Sequence, residues 1–167
     1  MPKNPRTPGP PPRERPLLDD VDRRLIGVLL ENGRASNVAL ARTAGVSEST
    51  CLARVRSLQE RGVIRAVTAE IDLTLVGLSV QAMVAIRFAG HLRADVDAFA
   101  EEVTGLPGVI ATYNISGAND FLVHVAAPTS EALRDFVLDH LAGRRGVVHA
   151  ETSLIFHTNR GRNVLPE

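Results

Sequence analysis

The sequence predicts an α+β protein in which a tri-helical helix-turn-helix domain precedes a ferredoxin-like βαββαβ domain. Two observations predict this class. Three short amphipathic helical patterns with well-marked caps end before residue 65. After residue 78 the apolar patterns follow the order β-α-β-β-α-β, which is one βαβ unit repeated once. Because 167 residues allow two small domains, the patterns predict two folded units joined by an extended linker over residues 65–78.

Proline dominates the start of the chain. Residues 1–16 hold seven prolines and four basic residues. Proline offers no N–H donor to a helix or a sheet, so this segment is predicted to be a disordered tail. Its positive charge would suit DNA phosphates, although a solvated extension is the usual fate of such a tail.

The first helix is predicted to begin just after Asp19. An aspartate at that position can cap the helix, and Asp22 adds negative charge to the first turn. Gly33 stands where the helix should end. Four apolar residues fall on one face of this helix: Val21, Leu25, Val28 and Leu29. The ordered N-terminal domain is therefore expected over residues 17–64.

Two more helices follow in the pattern of a helix-turn-helix. Ser36 is predicted to cap the second helix, Asn37–Ala44, which Gly45 ends. Ser47 is predicted to cap the third, which extends to about Arg61. The inner residues predicted for the second helix are Val38, Leu40 and Ala41. Those predicted for the third are Leu52, Val55 and Leu58, with Cys51 nearby as a packing residue.

The C-terminal domain, residues 79–157, is predicted to form a four-stranded antiparallel sheet with two helices on one face. Before it, the chain is expected to be extended over residues 64–71. The predicted strands are Gln81–Phe88, Val109–Ser116, Phe121–Ala126 and Val147–His157. The predicted helices are Asp95–Thr104 and a second one that Thr129 or Ser130 caps and that ends at Ala142. Residues 158–167 are predicted to be a C-terminal tail.

Both faces of the predicted sheet carry apolar residues. In the first strand, Val84 and Ile86 alternate with Met83 and Ala85. The third strand and the last strand show the same double pattern. Two helices cover only one face of a sheet, so the other face needs a partner. The economical partner is a second copy of the chain, packed sheet to sheet in a two-fold dimer.

Charge and cysteine content fit a cytoplasmic DNA-binding protein. Residues 1–65 carry 12 Lys and Arg against 7 Asp and Glu, whereas residues 66–167 carry 7 against 12. A basic first half suits DNA, although an excess of this size also arises by chance. The single cysteine, Cys51, excludes an intramolecular disulfide. No apolar run reaches the ~18 residues of a membrane span, so no membrane association is expected.

The exposed arc of the third helix is the candidate DNA-reading surface. The first residues of a recognition helix meet base edges, so the candidate readers are Ser47, Glu48, Ser49 and Thr50. Arg54 and Arg56 are positioned to reach a guanine or a phosphate. Arg34 and Ser36 precede the second helix and suit contacts to the DNA backbone. The alternative is that these polar residues form the solvated face of an ordinary helical bundle.

Three segments together resemble the Lrp/AsnC family, the feast/famine transcriptional regulators of bacteria and archaea. They are LDDVDRRLIGVLLENGRAS, LARTAGVSESTCLARVRSLQERGVI and SGANDFLVHV. The last is similar to the family motif G-x-x-D-Y, formed here by Gly117, Asp120 and Phe121, with Phe in place of Tyr. The resemblance covers Leu18 to about Phe156, which is nearly all of the predicted ordered chain.

This resemblance implies an effector domain similar to ACT domains, and dimers that can stack into octamers. It also implies that an amino acid or related metabolite binds between subunits near the G-x-x-D turn. The implied effector residues are Ser116, Gly117, Asn119 and Asp120, with Thr152 and Ser153 added by position on the last strand. A carboxylate there could pair with an α-ammonium group, and turn N–H groups could hold an α-carboxylate. The alternative is a simple hairpin turn, where Gly, Asn and Asp are common.

No pattern in the sequence predicts an enzyme, a metal site or another cofactor. The five histidines lack close metal-ligand spacing, and the glycines form no phosphate loop. The predicted function is a sequence-specific regulator that binds double-stranded DNA and responds to a small metabolite. Two alternatives stay open: an architectural protein that binds DNA with little sequence preference, and a metabolite-sensing regulatory subunit of an enzyme.

Overall fold

A computed structural model describes residues 17–90, 93–159 and 161. These residues form two compact units, which divide between Ala69 and Glu70. The predicted N-terminal tail, residues 1–16, lies outside the described residues, and so do residues 160 and 162–167 of the predicted C-terminal tail.

Three helices make up the first unit: α1, Asp20–Glu31; α2, Asn37–Ala44; and α3, Glu48–Glu60. The three predicted caps are confirmed. The side chain of Asp19 accepts a hydrogen bond from the Asp22 N–H at 2.9 Å. Ser36 and Ser47 accept the corresponding bonds in α2 and α3, each at 3.2 Å. Each cap satisfies an N–H group that the first turn of a helix leaves without a partner.

The core of the first unit lies where the three helices meet. Its buried residues are Leu25, Leu40, Ala41, Ala44 and Cys51. Burial raises the pKa of the Cys51 thiol, which keeps it protonated and fits a packing role. Two predicted core residues are wrong, since Val38 is 58% exposed and Leu52 is 56% exposed. Leu52 is turned about 100° around α3 from its neighbour Cys51, and Cys51 takes the inner position instead.

The segment between the two units contains no helix or strand. Residues 65–72, most of the stretch expected to be extended, run as irregular chain, and residues 73–77 form turns. Among the described residues, this segment therefore adds no helix to the first unit and no strand to the sheet.

The second unit has the predicted order of strands and helices. Its elements are β1, Val80–Phe88; α4, Arg93–Thr104; β2, Val109–Asn114; β3, Phe121–Ala127; α5, Ser130–Val137; and β4, Val147–Leu154. The strands form one antiparallel sheet in the order β2-β3-β1-β4. Thr129 caps α5 through the Ala132 N–H. The predicted single helix to Ala142 is wrong in its second half, because α5 gives way to a π-helical turn, Leu138–Ala142.

The helices cover one face of this sheet and bury its core. On the sheet, the fully buried residues include Val84, Ile86, Val123 and Val125. On the helices they are joined by Phe99, Val103, Leu133 and Leu141. Three aromatic rings pack together at one end, with the centroids of Phe99 and Phe121 5.0 Å apart.

The other face of the sheet, which we call the open face, is only partly apolar. Side chains directly opposite each other on paired strands share a face. Met83, Ala85 and Leu122 therefore share the open face with polar residues of β1 and of the neighbouring strands: Gln81, His124, Glu151 and Ser153. The prediction of an equally apolar second face is too strong, because the edge strand β4 places its apolar Leu154 on the helix-covered face.

Candidate nucleic-acid interface and effector turn

The first turn of α3 carries a cluster of hydroxyl groups. The Ser47 Oγ lies 3.1 Å from the Ser49 Oγ and 2.8 Å from the Thr50 Oγ1. Ser49, Thr50, Ala53, Arg54 and Ser57 line a shallow open groove along the exposed side of the helix. Mutual hydrogen bonds hold these hydroxyls in place, and the N-terminal end of a helix favours negative charge. The cluster is therefore suited to phosphate oxygens and base edges.

Asn37 connects α2 to this turn, and sequence reasoning did not identify it. Its side-chain Nδ2 donates a hydrogen bond of 3.0 Å to the Glu48 carbonyl oxygen at the start of α3. The bond joins the first residue of each helix and so ties the start of α2 to the start of α3. The signal in the sequence that could have identified this contact is an Asn directly after the Ser36 cap.

The structure places Arg54 in contacts within the first unit. Its guanidinium forms ion pairs with Asp19 and with Asp22, the latter at 3.1 Å. Arg61 approaches the other carboxylate oxygen of Asp22 at 3.8 Å and donates a hydrogen bond to the Leu17 carbonyl oxygen. Asp22 is buried, and these two arginines supply the partners that a buried carboxylate requires. We call this set, Asp19, Asp22, Arg54 and Arg61, the ion-pair clamp between α1 and α3.

Hydrogen bonding sets the charge state of the clamp. The Asp22 N–H and then the Arg54 guanidinium hold the pKa of Asp19 below its ordinary value. The hydrogen bond to Asp19 is the largest cause that raises the pKa of Arg54. Both groups are therefore charged near neutral pH.

The remaining predicted DNA contacts are exposed. Arg34, Ser36, Glu48 and Arg56 all lie on the surface of the first unit. Within the part of the chain that the structure describes, neither the Arg34 nor the Arg56 guanidinium forms an ion pair. Arg56 is thus available for a phosphate in a way that Arg54 is not.

Four of the predicted effector residues lie together in the β2–β3 hairpin turn. Ser116, Gly117 and Asn119 belong to the loop, which the Ile115 N–H closes by donating to the Asp120 carbonyl oxygen at 2.9 Å. Gly117 has φ of 130°, a conformation that favours glycine.

Asp120 also ties this turn to β1. Its Oδ2 accepts a hydrogen bond from the Phe88 N–H, and its own N–H donates to the Ile86 carbonyl oxygen, both at 2.8 Å. Asp120 therefore has a structural role in fixing the hairpin against the sheet. The sequence predicted Asp120 as a ligand-binding residue or as part of a simple hairpin turn, and did not show its bonds to β1.

Thr152 and Ser153 do not adjoin the turn within one chain. They lie on β4, opposite Val84 and Met83 respectively, and β1 stands between them and the hairpin. Because they are neighbours on one strand, their side chains also point to opposite faces of the sheet. Thr152 instead lines an apolar cavity of about 250 Å³ beside α5, together with Leu133, Val137 and Leu154.

The described residues also bear on metal binding and on membrane insertion. They contain no group of three His, Cys, Asp or Glu residues placed to hold a metal ion. None of their helices is long and apolar enough to cross a membrane.

Comparison with known proteins matches both units. The AsnC-type helix-turn-helix domain matches residues 18–59, and the Lrp/AsnC ligand binding domain matches residues 81–164. The HTH-type transcriptional regulator AldR of Mycolicibacterium smegmatis is 41% identical over 160 residues, covering 95% of this chain and 94% of AldR.

Two solved structures extend the comparison to the fold. The crystal structure of MtbAldR has a TM-score of 0.75 at 39% identity and covers 88% of this chain and 98% of its own. A transcriptional regulator of Neisseria meningitidis in complex with L-Met has a TM-score of 0.79 at 31% identity and covers 90% and 97%.

Proposed function

This chain belongs to the Lrp/AsnC family of DNA-binding transcriptional regulators, and we propose that it reads a specific operator under the control of a small metabolite. In this proposal the helix-turn-helix unit binds the major groove through the first turn of α3. The second unit binds the metabolite and pairs two chains. The protein acts by binding alone, without catalysis or a cofactor, in the cytoplasm, where its DNA target lies.

The observation that carries the proposal is the hydroxyl cluster at the start of α3. Ser47, Ser49 and Thr50 are exposed, held by mutual hydrogen bonds, and anchored to α2 through Asn37. Such a preorganised helix end loses little conformational entropy when it meets DNA. Hydroxyl groups serve as both donors and acceptors, so they discriminate between bases only modestly. In the proposal, Arg56, Arg34 and Ser36 add affinity through contacts to the DNA backbone.

Dimerisation compensates for the few contacts that a single reader makes. In the proposal, two chains pack through the open faces of their sheets, and the half-exposed Met83 and Leu122 form the apolar centre. Two linked readers gain through effective concentration and recognise half-sites about one helical turn apart. Assembly of dimers into octamers would extend the same arrangement along DNA.

The effector proposed is an amino acid or a closely related metabolite. Support comes from the Neisseria meningitidis relative, whose structure holds L-Met. The proposed site includes the exposed turn residues Ser116 and Gly117 with Asn119 and Asp120, and Thr152 and Ser153 contribute to it only if a second chain brings them close. Effector binding alters DNA binding provided that it favours one assembly geometry over another.

A mobility-shift titration tests the regulator proposal. Full-length protein is mixed with the DNA upstream of its own gene, in the presence of random competitor DNA at physiological salt, with and without a panel of amino acids. A specific regulator prefers its site by about 10³-fold or more. A ratio near unity would favour an architectural protein instead. No shift at any concentration would favour a regulatory subunit and overturn the proposal.

A further inference from the structure

A cavity in the second unit is lined by none of the residues proposed to bind the effector. It has a volume of about 280 Å³, and its walls come from β1, α4 and the loop before β4: Phe88, Ala98, Phe99, Glu102, Arg144 and Arg145. The cavity is on the helix-covered side of the sheet, since Phe88 and Phe99 belong to the core of that side. All of its lining residues belong to the second unit, so a single chain forms it completely.

One of the two arginines in this cavity is already neutralised. The Arg144 guanidinium forms an ion pair with Glu102, and its Nε donates to the His140 carbonyl oxygen at 2.6 Å. The same group lies over the Phe99 ring, 5.8 Å from its centroid. These three contacts fix Arg144 in place, and Glu102 balances its charge.

Arg145 is the uncompensated charge of the cavity. Its side chain is exposed, and among the residues that the structure describes no hydrogen bond or ion pair involves it. The cavity therefore carries a net charge of about one positive unit at its mouth. An anion entering it would meet a free guanidinium, which binds carboxylates in a bidentate manner.

The inner wall of the cavity is apolar and rigid. The Phe88 and Phe99 rings pack edge to face with centroids 5.2 Å apart, and both side chains are nearly fully buried. A volume just below the usual range for drug-sized ligands suits a small metabolite with one apolar group. An α-ammonium group would add a second positive charge beside the free Arg145 guanidinium, while the Glu102 carboxylate already balances Arg144, so a ligand without an ammonium group is favoured.

We propose that this cavity binds a small monocarboxylate that carries an apolar chain and no ammonium group. The carboxylate pairs with Arg145, and the chain packs against Phe88 and Phe99. The site differs from the effector turn in position and in ligand charge, so the proposal does not depend on amino-acid binding there. The two sites are nevertheless connected, because the Asp120 carboxylate in the turn accepts a hydrogen bond from the Phe88 N–H.

Calorimetry with a matched pair of probes tests this proposal. The full chain is titrated with 4-methylpentanoate and with its uncharged amide, 4-methylpentanamide, which has nearly the same shape. The acid is expected to bind about tenfold more tightly than the amide, the gain of one charge-assisted hydrogen bond. L-Leucine, which adds the ammonium group, is expected to bind this site more weakly than the acid does.

Two variants locate the binding. Arg145→Gln is expected to abolish the preference for the acid over the amide. Arg87→Gln, which removes an exposed arginine from the open face of β1, is expected to leave the preference unchanged. The proposal would be overturned if Arg145→Gln bound the acid as tightly as the wild type does. It would also be overturned if the wild type bound acid and amide equally, or gave no heat with millimolar acid. Operator binding by the same preparations is measured separately. Failure of the cavity proposal can therefore be distinguished from failure of the regulator proposal.

Discussion

Asp22 illustrates how one buried charge organises the first unit. Its side chain is only 5% exposed and lies between the guanidinium groups of Arg54 and Arg61. A buried carboxylate is costly unless such partners are present, so the clamp selects one orientation of α3 against α1. At the scale of the residue, we therefore expect Arg54 to influence DNA binding through the position of α3. We expect it to act as a positioning residue and Arg56, which forms no ion pair among the described residues, to contact DNA.

Arg54→Ala is expected to weaken DNA binding without changing its salt dependence, because the side chain neutralises aspartates and not a phosphate. Arg56→Ala removes an exposed cation from the same helix and is expected to lower the slope of log affinity against log salt by about one. Fluorescence anisotropy of one operator duplex over a series of salt concentrations measures both slopes. Equal reductions in the two variants would show that Arg54 contacts the DNA backbone after all.

The charge of Asp19 gives the first unit a defined response to acid. Because its pKa is lowered in the folded state, the carboxylate contributes stability that is fully present above its ordinary pKa of 3.8. That contribution is lost as the pH falls below 3.8 through the lowered value. Asp19→Asn keeps a capping oxygen and removes the charge. Urea unfolding should therefore show wild type more stable than the variant at pH 7, and the difference should shrink in acid; a constant difference would contradict this account.

At the scale of the element, the β2–β3 hairpin combines a structural and a binding role. The Asp120 carboxylate accepts the Phe88 N–H and so joins the hairpin to β1, while its loop presents the residues proposed to bind effector. A side-chain amide can accept the same hydrogen bond but carries no charge. The two roles of Asp120 can therefore be separated by the choice of substitution.

Asp120→Asn is expected to stay closer to the wild type in thermal stability than Asp120→Ala, and to lose the response to amino-acid effector. Asp120→Ala leaves the Phe88 N–H without its acceptor and is expected to destabilise the domain by about 1–2 kcal/mol as well. Thermal unfolding and mobility shifts with and without effector measure the two effects. If Asp120→Asn still responds normally, the effector binds elsewhere.

Local features of the elements were predictable, and their packing partners were not. The caps Asp19, Ser36 and Ser47 depend on hydrogen bonds to residues three positions away, which a sequence displays directly. The outward position of Leu52 depends on where α1 and α2 lie, and helical periodicity alone does not determine it. The π-helical turn after Val137 likewise has no clear signature in the sequence.

In the candidate sites, too, local features were predictable from the sequence and long-range contacts were not. The hydroxyl cluster on α3 was predictable, because position on a recognition helix defines it. The ion pair between Arg54 and Asp22 joins residues 32 positions apart, and the cavity at Arg145 gathers residues from three elements. Contacts of this kind appear only when the tertiary structure is known, so the sequence predicted Arg54 as a DNA contact without showing its ion pairs with Asp19 and Asp22.

At the scale of the whole molecule, assembly decides how many readers meet one operator. The second unit offers two partly apolar surfaces for a partner. One is the open face around Met83 and Leu122, and the other is the cavity beside α5, where Leu138 is 56% exposed. The open face runs across the paired strands, whereas the cavity is a small groove at one edge, so the open face can bury more apolar area in a two-fold dimer.

Met83→Glu is therefore expected to convert the protein from dimers or larger assemblies into monomers, because it places a charge at the centre of the proposed interface. Leu138→Glu makes the same change on the opposite side of the sheet and serves as the matched control; its assembly should be unchanged. Sedimentation at micromolar concentration measures the mass, and circular dichroism checks that both variants stay folded. Operator affinity should fall only in Met83→Glu, since an isolated reader loses the gain in effective concentration. Dissociation by Leu138→Glu alone would move the interface to the α5 side, and a monomeric wild type would contradict the proposed dimer.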